Sequence, residues 1–281
     1  MGRYTVWGKC EFMNPSGSVK DRMATYILNN AEDNLLIRKG DTLVEATSGN
    51  TGIAFAMLAA ERGYNMKIVM PRNMSEERKQ MLKFYGAELI EVGAGDFDGA
   101  IELRDRLSRD NGWFNCNQFH NNLNIEAHYN TTGPEIVKQF RHANSHEHAW
   151  PEGFVVGTGT GGTIMGAGNC LKESFPGCQL IAVEPAESAV MSGGAPGLHG
   201  IQGIGDGSKF LVDLNIVSTI IPIKTEEAKA TAKHLAKKYG LFVGISAGAN
   251  VKASFQWMRD NDKRHAITIL CDRGERYMSC L

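Results

Sequence analysis

Lys20 stands where a lysine could act as a covalent nucleophile. It closes the run Asn14-Pro15-Ser16-Gly17-Ser18-Val19-Lys20-Asp21-Arg22, ahead of a helix expected to begin near Met23. A cation at a helix start stands against the usual charge preference. That arrangement suits a lysine attacking an aldehyde. Position alone favours the plainer reading, a solvated surface lysine in an N-terminal loop.

Two glycine-rich turns add anion-binding chemistry. Ser48-Gly49-Asn50-Thr51-Gly52 lies between a strand-like and a helix-like stretch, where small residues let backbone N–H groups approach a carboxylate or a phosphate. A tight strand-to-helix turn without a ligand has the same composition. Gly157-Thr158-Gly159-Thr160-Gly161-Gly162-Thr163 offers N–H groups and hydroxyls with little side-chain bulk, a good phosphate cradle. It also contains G-x-G-x-x-G at Gly157, Gly159 and Gly162, with Glu184 ending the next strand-like run roughly 20 residues on, so a nicotinamide-cofactor fold is a rival reading.

The elements that must position these turns alternate between strand and helix. Strands are expected at Thr42–Ala46, Met66–Met70, Glu88–Val92, Gly153–Val156, Leu180–Val183 and Ala266–Leu270. Helices are expected at Ile53–Arg62, Ser75–Tyr85 with Ser75 as N-cap and Gly86 as the stop, Ala100–Asp110, Ile164–Ser174 and Glu226–Tyr239. This alternation predicts parallel sheets flanked by helices, with ligands gathered at the carboxyl ends of the strands. The polar stretch from His142 to His148 reads as a surface connection between halves, its histidines solvated.

Composition excludes several classes. The chain has 281 residues, 42% hydrophobic and 22% charged, with a formal net charge of −1. No basic stripe points to nucleic acid and no polybasic patch to an anionic membrane. The longest nearly apolar run, Ile53 to Ala60, is too short to span a bilayer, and the N-terminus lacks the apolar core of a secretory signal. A cytoplasmic location is therefore expected. The six cysteines (Cys10, Cys116, Cys170, Cys178, Cys271 and Cys280) form no C-x-x-C pair, so neither a disulfide framework nor a metal site is expected.

Taken together in this order, the motifs resemble the cysteine synthase (O-acetylserine sulfhydrylase) family of fold-type II pyridoxal-phosphate enzymes. The resemblance covers nearly the whole chain. It is carried by Asn14 to Arg22, Glu45 to Gly52, Tyr64 to Pro71, Thr131 to Ile136, the Gly157 loop, His199 to Gly205, Gly244 to Ala249 and Cys271 to Tyr277. The form Cys271-Asp272-Arg273-Gly274-Glu275-Arg276 is similar to the B-type enzymes and also to the tryptophan synthase β-subunit pattern.

The resemblance implies a tryptophan-synthase-β-like α/β fold of two domains, each a mostly parallel sheet flanked by helices. Residues 13–122 would form a smaller, mobile substrate-loop domain, and 1–12 with 123–281 a larger cofactor-phosphate domain. Lys20 would form the Schiff base with pyridoxal 5'-phosphate and move the substrate α-proton. Gly159, Thr160, Gly161, Gly162 and Thr163 would hold the cofactor phosphate, and Asn50 its ring hydroxyl. Thr47, Ser48, Asn50, Thr51 and Gln118 would clasp the substrate carboxylate. Ser246 and Cys271 are both candidates for the pyridine nitrogen, and either neutral group favours β-elimination.

The implied reaction is β-replacement on O-acetylserine by sulfide, through an aminoacrylate, to give cysteine. O-phosphoserine, cystathionine or serine/threonine deamination chemistry is the alternative within the class, as is a truncated, non-catalytic relative that binds partners. The family runs further ahead of Tyr4 and beyond Leu281, which bears on stability and dimer geometry. A homodimer is expected, with serine acetyltransferase as a possible partner.

Overall fold

A computed structural model describes residues 4–47, 49–144, 149–205 and 207–280. The chain divides into two compact units, residues 14–124 and residues 1–13 with 125–281. Strand β1 (Thr5–Cys10) opens the discontinuous unit. The continuous unit then runs α1 (Lys20–Asp33), β2 (Thr42–Ala46), α2 (Asn50–Arg62), β3 (Asn65–Pro71), α3 (Glu76–Phe84), β4 (Glu88–Val92), α4 (Phe97–Asn111) and β5 (Phe114–Asn115). Its sheet has the order β4-β3-β2-β5, with every neighbouring pair parallel.

Residues Leu43, Ile53, Phe55, Ile68 and Met70 are fully buried in this unit. Each such side chain contributes about 1.5–3 kcal/mol on leaving water. Val44, Ala46 and Val69 pack with Ala100, and Leu103 and Leu107 of α4 lie against that cluster. The strands leading to the predicted turn therefore rest on a fixed helix.

Helix α5 (Leu123–Ala127) carries the chain out of this unit and continues through a π-helical turn, His128–Thr132, into α6 (Gly133–Ala143). The discontinuous unit follows with β6 (Gly153–Gly157), α7 (Gly162–Ser174), β7 (Gln179–Pro185), β8 (Thr219–Ile223), α8 (Thr225–Tyr239), α9 (Ile245–Asp260) and β9 (His265–Leu270). Its sheet has the order β1-β9-β6-β7-β8, again parallel in every pairing. Val155, Ile181, Val183, Ile223, Trp257 and Tyr277 belong to its buried core. Both units are parallel α/β layers, the fold class that the alternating pattern predicts.

Several boundaries depart from the sequence expectation. Helix α1 begins at Lys20 and not near Met23. The Asp21 carboxylate accepts from the Ser16 N–H at 2.7 Å and from the Ser16 hydroxyl, folding the preceding loop onto the first turn. Helices α2, α4 and α7 each begin two or three residues earlier than expected. In α4 the reason is Asp96, whose carboxylate caps the Gly99 N–H at 2.9 Å. Ser75 does occupy the N-cap of α3, but its side chain makes no capping bond. Gly86 takes the left-handed conformation that ends the helix (φ 81°). His142 lies in the last turn of α6 and not in a loop, while His146 and His148 fall outside the described residues. Among the described residues no helix is long and apolar enough to cross a membrane.

Candidate active site

Three helices share an unusual start. Helices α2, α7 and α9 have glycine N-caps (Gly49, Gly161 and Gly244), no acidic residue in the first turn, and no side-chain capping bond. By contrast, Asp96 caps α4, and α3 and α8 carry paired glutamates in their first turns. A helix start without an acid or a cap leaves its N–H groups and positive end available to an anion, although at α9 the buried Asp272 carboxylate already lies against Gly244. Each of the three begins within one of the motifs singled out from the sequence.

In the continuous unit, Thr47 follows the carboxyl end of β2, and Asn50 and Thr51 begin α2. The Gly49 N–H donates to Thr47 Oγ1 at 3.1 Å, which shapes the turn. Ser48 lies outside the described residues. The Thr51 hydroxyl donates to Gln118 Oε1 at 2.6 Å, and Gln118 Nε2 donates to the Ala46 carbonyl at 3.0 Å. Thr47, Thr51 and Gln118 are thus brought together, all buried, around the start of α2. Lys20 occupies the first position of α1 and is half-buried; its N–H lies 3.3 Å from Ser18 Oγ, and Asn14 Nδ2 donates to the Ser18 carbonyl at 3.0 Å.

Beneath Gln118 lies a buried ion pair that sequence reasoning missed. Glu45 Oε2 accepts from the Gln118 N–H at 3.0 Å, Glu45 Oε1 from the Ala46 N–H at 2.8 Å, and Arg104 Nη1 stands 3.2 Å from Glu45 Oε1. Burial pushes the Glu45 carboxyl up, against the opposing pull of Arg104 and the two backbone N–H groups. Arg78, also missed, is 2% exposed and packs so closely on the turn that a methyl group at Gly49 would fall 2.8 Å from its Nε. Its guanidinium group therefore stands beside the start of α2.

In the discontinuous unit, β6 ends at Gly157 and the loop Thr158–Gly161 leads into α7. Helical bonding starts with the Met165 N–H donating to the Gly161 carbonyl at 3.1 Å, so the N–H groups of Gly162, Thr163 and Ile164 stand ahead of the ladder. The loop is held from outside by Gly205 N–H to Thr158 O at 2.9 Å and Leu211 N–H to Thr160 O at 3.0 Å. His128, in the π-helical turn, lies 3.2 Å from Thr163 Oγ1 through Nε2 and 2.8 Å from Thr132 Oγ1 through Nδ1. An Nε2–H donated to Thr163 leaves the threonine hydroxyl proton free for an anion.

Ser246, 3% exposed, sits in the first turn of α9, and Cys271 follows the carboxyl end of β9. The Cys271 thiol is directed at the Ile269 carbonyl, 3.6 Å away. Glu184, the acidic residue of the nicotinamide reading, is 2% exposed and holds the Met191 N–H at 2.8 Å, the Ser192 N–H at 3.1 Å and the Ser192 hydroxyl. Its carboxylate serves the following loop and not a ribose, which removes the main support for that rival.

The family profile described as "Pyridoxal-phosphate dependent enzyme" matches residues 2–272. A cysteine synthase of Staphylococcus aureus (strain Mu50 / ATCC 700699) is 41% identical over 279 residues, covering 98% of this chain and 87% of the relative. Cysteine synthase B of Pseudomonas aeruginosa is 40% identical over 276 residues, covering 98% and 88%. Among solved structures, that of O-ureido-L-serine synthase superposes with a TM-score of 0.93 at 35% identity, covering 99% of this chain and 87% of that one.

Proposed function

Because this chain belongs to the family of pyridoxal-phosphate-dependent enzymes, we propose that it is a cysteine synthase, replacing the β-acetoxy group of O-acetylserine with sulfide. The observation that carries the reading is the pair of glycine-capped helix starts without a first-turn acid at α2 and α7, whose N–H groups suit a carboxylate and a phosphate. The donor set fits the cofactor. The start of α7, with Gly159, Thr160, Gly161, Gly162 and Thr163, suits its phosphate, Asn50 its ring hydroxyl, and Ser246 its pyridine nitrogen. The Cys271 thiol faces the Ile269 carbonyl instead, which favours Ser246 over Cys271.

When bound, the cofactor supplies an electron sink for the charge that develops at the substrate Cα. Lys20 is the amine that would carry it between turnovers, and its Nζ would take the α-proton from the substrate and later return it. The start of α2 would hold the α-carboxylate through its N–H groups, in a turn shaped by Thr47, Thr51 and Gln118. Arg78 would favour the same anion. Acetate leaves Cβ, hydrosulfide forms the new C–S bond there, and the proton goes back to Cα, so O-acetylserine and hydrosulfide become cysteine and acetate. The 41% and 40% identity to cysteine synthases supports sulfide as the nucleophile.

The family likeness also supports a homodimer working in the cytoplasm, with serine acetyltransferase as a partner protein.

The test is the visible absorption of the purified protein with pyridoxal phosphate, followed by cysteine formation from O-acetylserine and sulfide. The expected result is a Schiff-base absorption band and sulfide-dependent cysteine production, both lost in Lys20→Ala. A colourless protein, or a coloured one that ignores O-acetylserine, would overturn the reading.

A further inference from the structure

Asn250 is fully buried in α9. Its side-chain carbonyl accepts the Gly157 N–H at 2.7 Å, and its amide nitrogen donates to the Ile269 carbonyl at 2.9 Å and lies 3.5 Å from Cys271 Sγ. One side chain thus touches the end of β6, the end of β9 and the residue after β9.

The location explains why an amide is needed. Strands β6 and β9 are neighbours, and their register runs from Gly153↔Ala266 to Val155↔Thr268. The Thr268 hydroxyl closes that stretch by donating to the Val155 carbonyl at 2.6 Å. Gly157 and Ile269 lie just beyond it, where the two strands part. The Gly157 N–H and the Ile269 carbonyl therefore meet Asn250 and not each other, and the amide acts as a rung inserted between separating strand ends. Buried backbone groups left without such a partner are costly. Gly157 has no room for a side chain here: a Cβ would fall 3.0 Å from Asn250 Oδ1 and 2.8 Å from an Ile204 methyl.

Ser246 lies four residues before Asn250, on the same face of α9. The same amide thereby fixes the helix that carries Ser246, the first residue of the Gly157 loop, and the Cys271 thiol. The geometry points to Asn250 as a positioning residue that sets the spacing between the phosphate-holding loop and the pyridine-nitrogen end of the cofactor site. This inference rests on the pyridoxal-phosphate reading above.

The experiment compares the wild-type protein, Asn250→Ala, Asn250→Asp and a control, Ser254→Ala. Ser254 is also buried on α9, and its hydroxyl donates to the Asn250 backbone carbonyl at 2.7 Å. Cofactor-free protein is titrated with pyridoxal phosphate, and iodoacetamide labelling of Cys271 is followed by peptide mapping without cofactor. Asn250→Ala is expected to raise the dissociation constant at least tenfold and to speed Cys271 labelling severalfold. Asn250→Asp keeps the acceptor for Gly157 but loses both donor positions, so it is expected to fall between wild type and Asn250→Ala, and it decides the matter if Asn250→Ala does not melt cooperatively. Ser254→Ala is expected to melt earlier with its dissociation constant within twofold of wild type.

Wild-type affinity and labelling in both Asn250 variants would overturn the inference, as would an equal loss of affinity in Ser254→Ala. If wild-type protein itself binds no pyridoxal phosphate, the proposed function fails, and the labelling comparison still decides the role of Asn250: faster labelling in the variants supports it and unchanged labelling overturns it.

Discussion

Thr51 and Gln118, 67 residues apart in sequence, are joined by a hydrogen bond of 2.6 Å in which the threonine hydroxyl donates to the glutamine carbonyl. The Thr51 hydroxyl proton and one of the two Gln118 Nε2 protons, the latter facing the Ala46 carbonyl, are engaged within the turn. In the proposed reaction these bonds would fix the turn whose backbone N–H groups hold the carboxylate. Gln118→Ala is expected to raise KM for O-acetylserine about tenfold, the worth of roughly one such hydrogen bond, with a smaller change in kcat. Steady-state kinetics check this, and a kcat loss at constant KM would count against it.

Substitution separates Ser246 from Cys271. With the Cys271 thiol directed at Ile269, Ser246→Ala is expected to lower kcat about tenfold or more and to shift the visible maximum of the bound cofactor. Cys271→Ser is expected to change kcat less than about threefold by the same reckoning. The opposite order would make Cys271 the partner of the ring nitrogen.

The Glu45–Arg104 pair gives a pH-dependent prediction. Arg104→Met leaves a buried carboxylate without its cation, which costs about 3–5 kcal/mol when the carboxylate is charged. Burial already raises the Glu45 pKa above its ordinary 4.5, and the substitution removes the group that pulls it down. A raised carboxyl pKa contributes stability below the unfolded value and loses it as pH rises through the folded one. The stability deficit of Arg104→Met relative to wild type should therefore be smallest near pH 4.5 and grow with pH. Urea unfolding at several pH values measures it, and a deficit constant with pH would refute it.

Thiol reactivity tests the packing. Burial pushes Cys178 up to about 12 and Cys116 well above its usual range, and both are buried. Native protein treated with a thiol reagent at pH 8 should leave these two unmodified, while exposed Cys10 reacts. Labelling of Cys116 before global unfolding would show the β2–β5 region to be looser than described.

Much of the fold was legible because its signals are local. The glutamates and Gly86 around α3, and Gly240 after α8, mark helix ends that neighbouring residues decide alone. The early start of α1 could have been found in Ser18-Val19-Lys20-Asp21, a Ser-x-x-Asp pattern of the kind that opens helices. Strand β8 went unread because Pro222 interrupts it, which an edge strand tolerates. Helix α9 went unread because it is buried around most of its circumference and lacks a clear apolar stripe. The site's supporting residues were hidden for a different reason. Arg104 meets Glu45 across 59 residues and Asn250 meets Gly157 across 93, and only the folded sheet brings them together.

The pairing of β1 with β9 also makes the assembly of this protein a matter of timing. Thr5 to Cys10 lie in register with His265 to Leu270, so a strand near the beginning of the chain waits for one near its end. The contiguous stretch 14–124 has all four strands of its sheet at hand long before then. On a ribosome the shorter stretch can fold while β1 stays unpaired, its apolar side open to other chains until β9 emerges. Synthesis that stalls between residues 125 and 265 would strand the molecule in that half-built state, the point at which chaperones have most to protect.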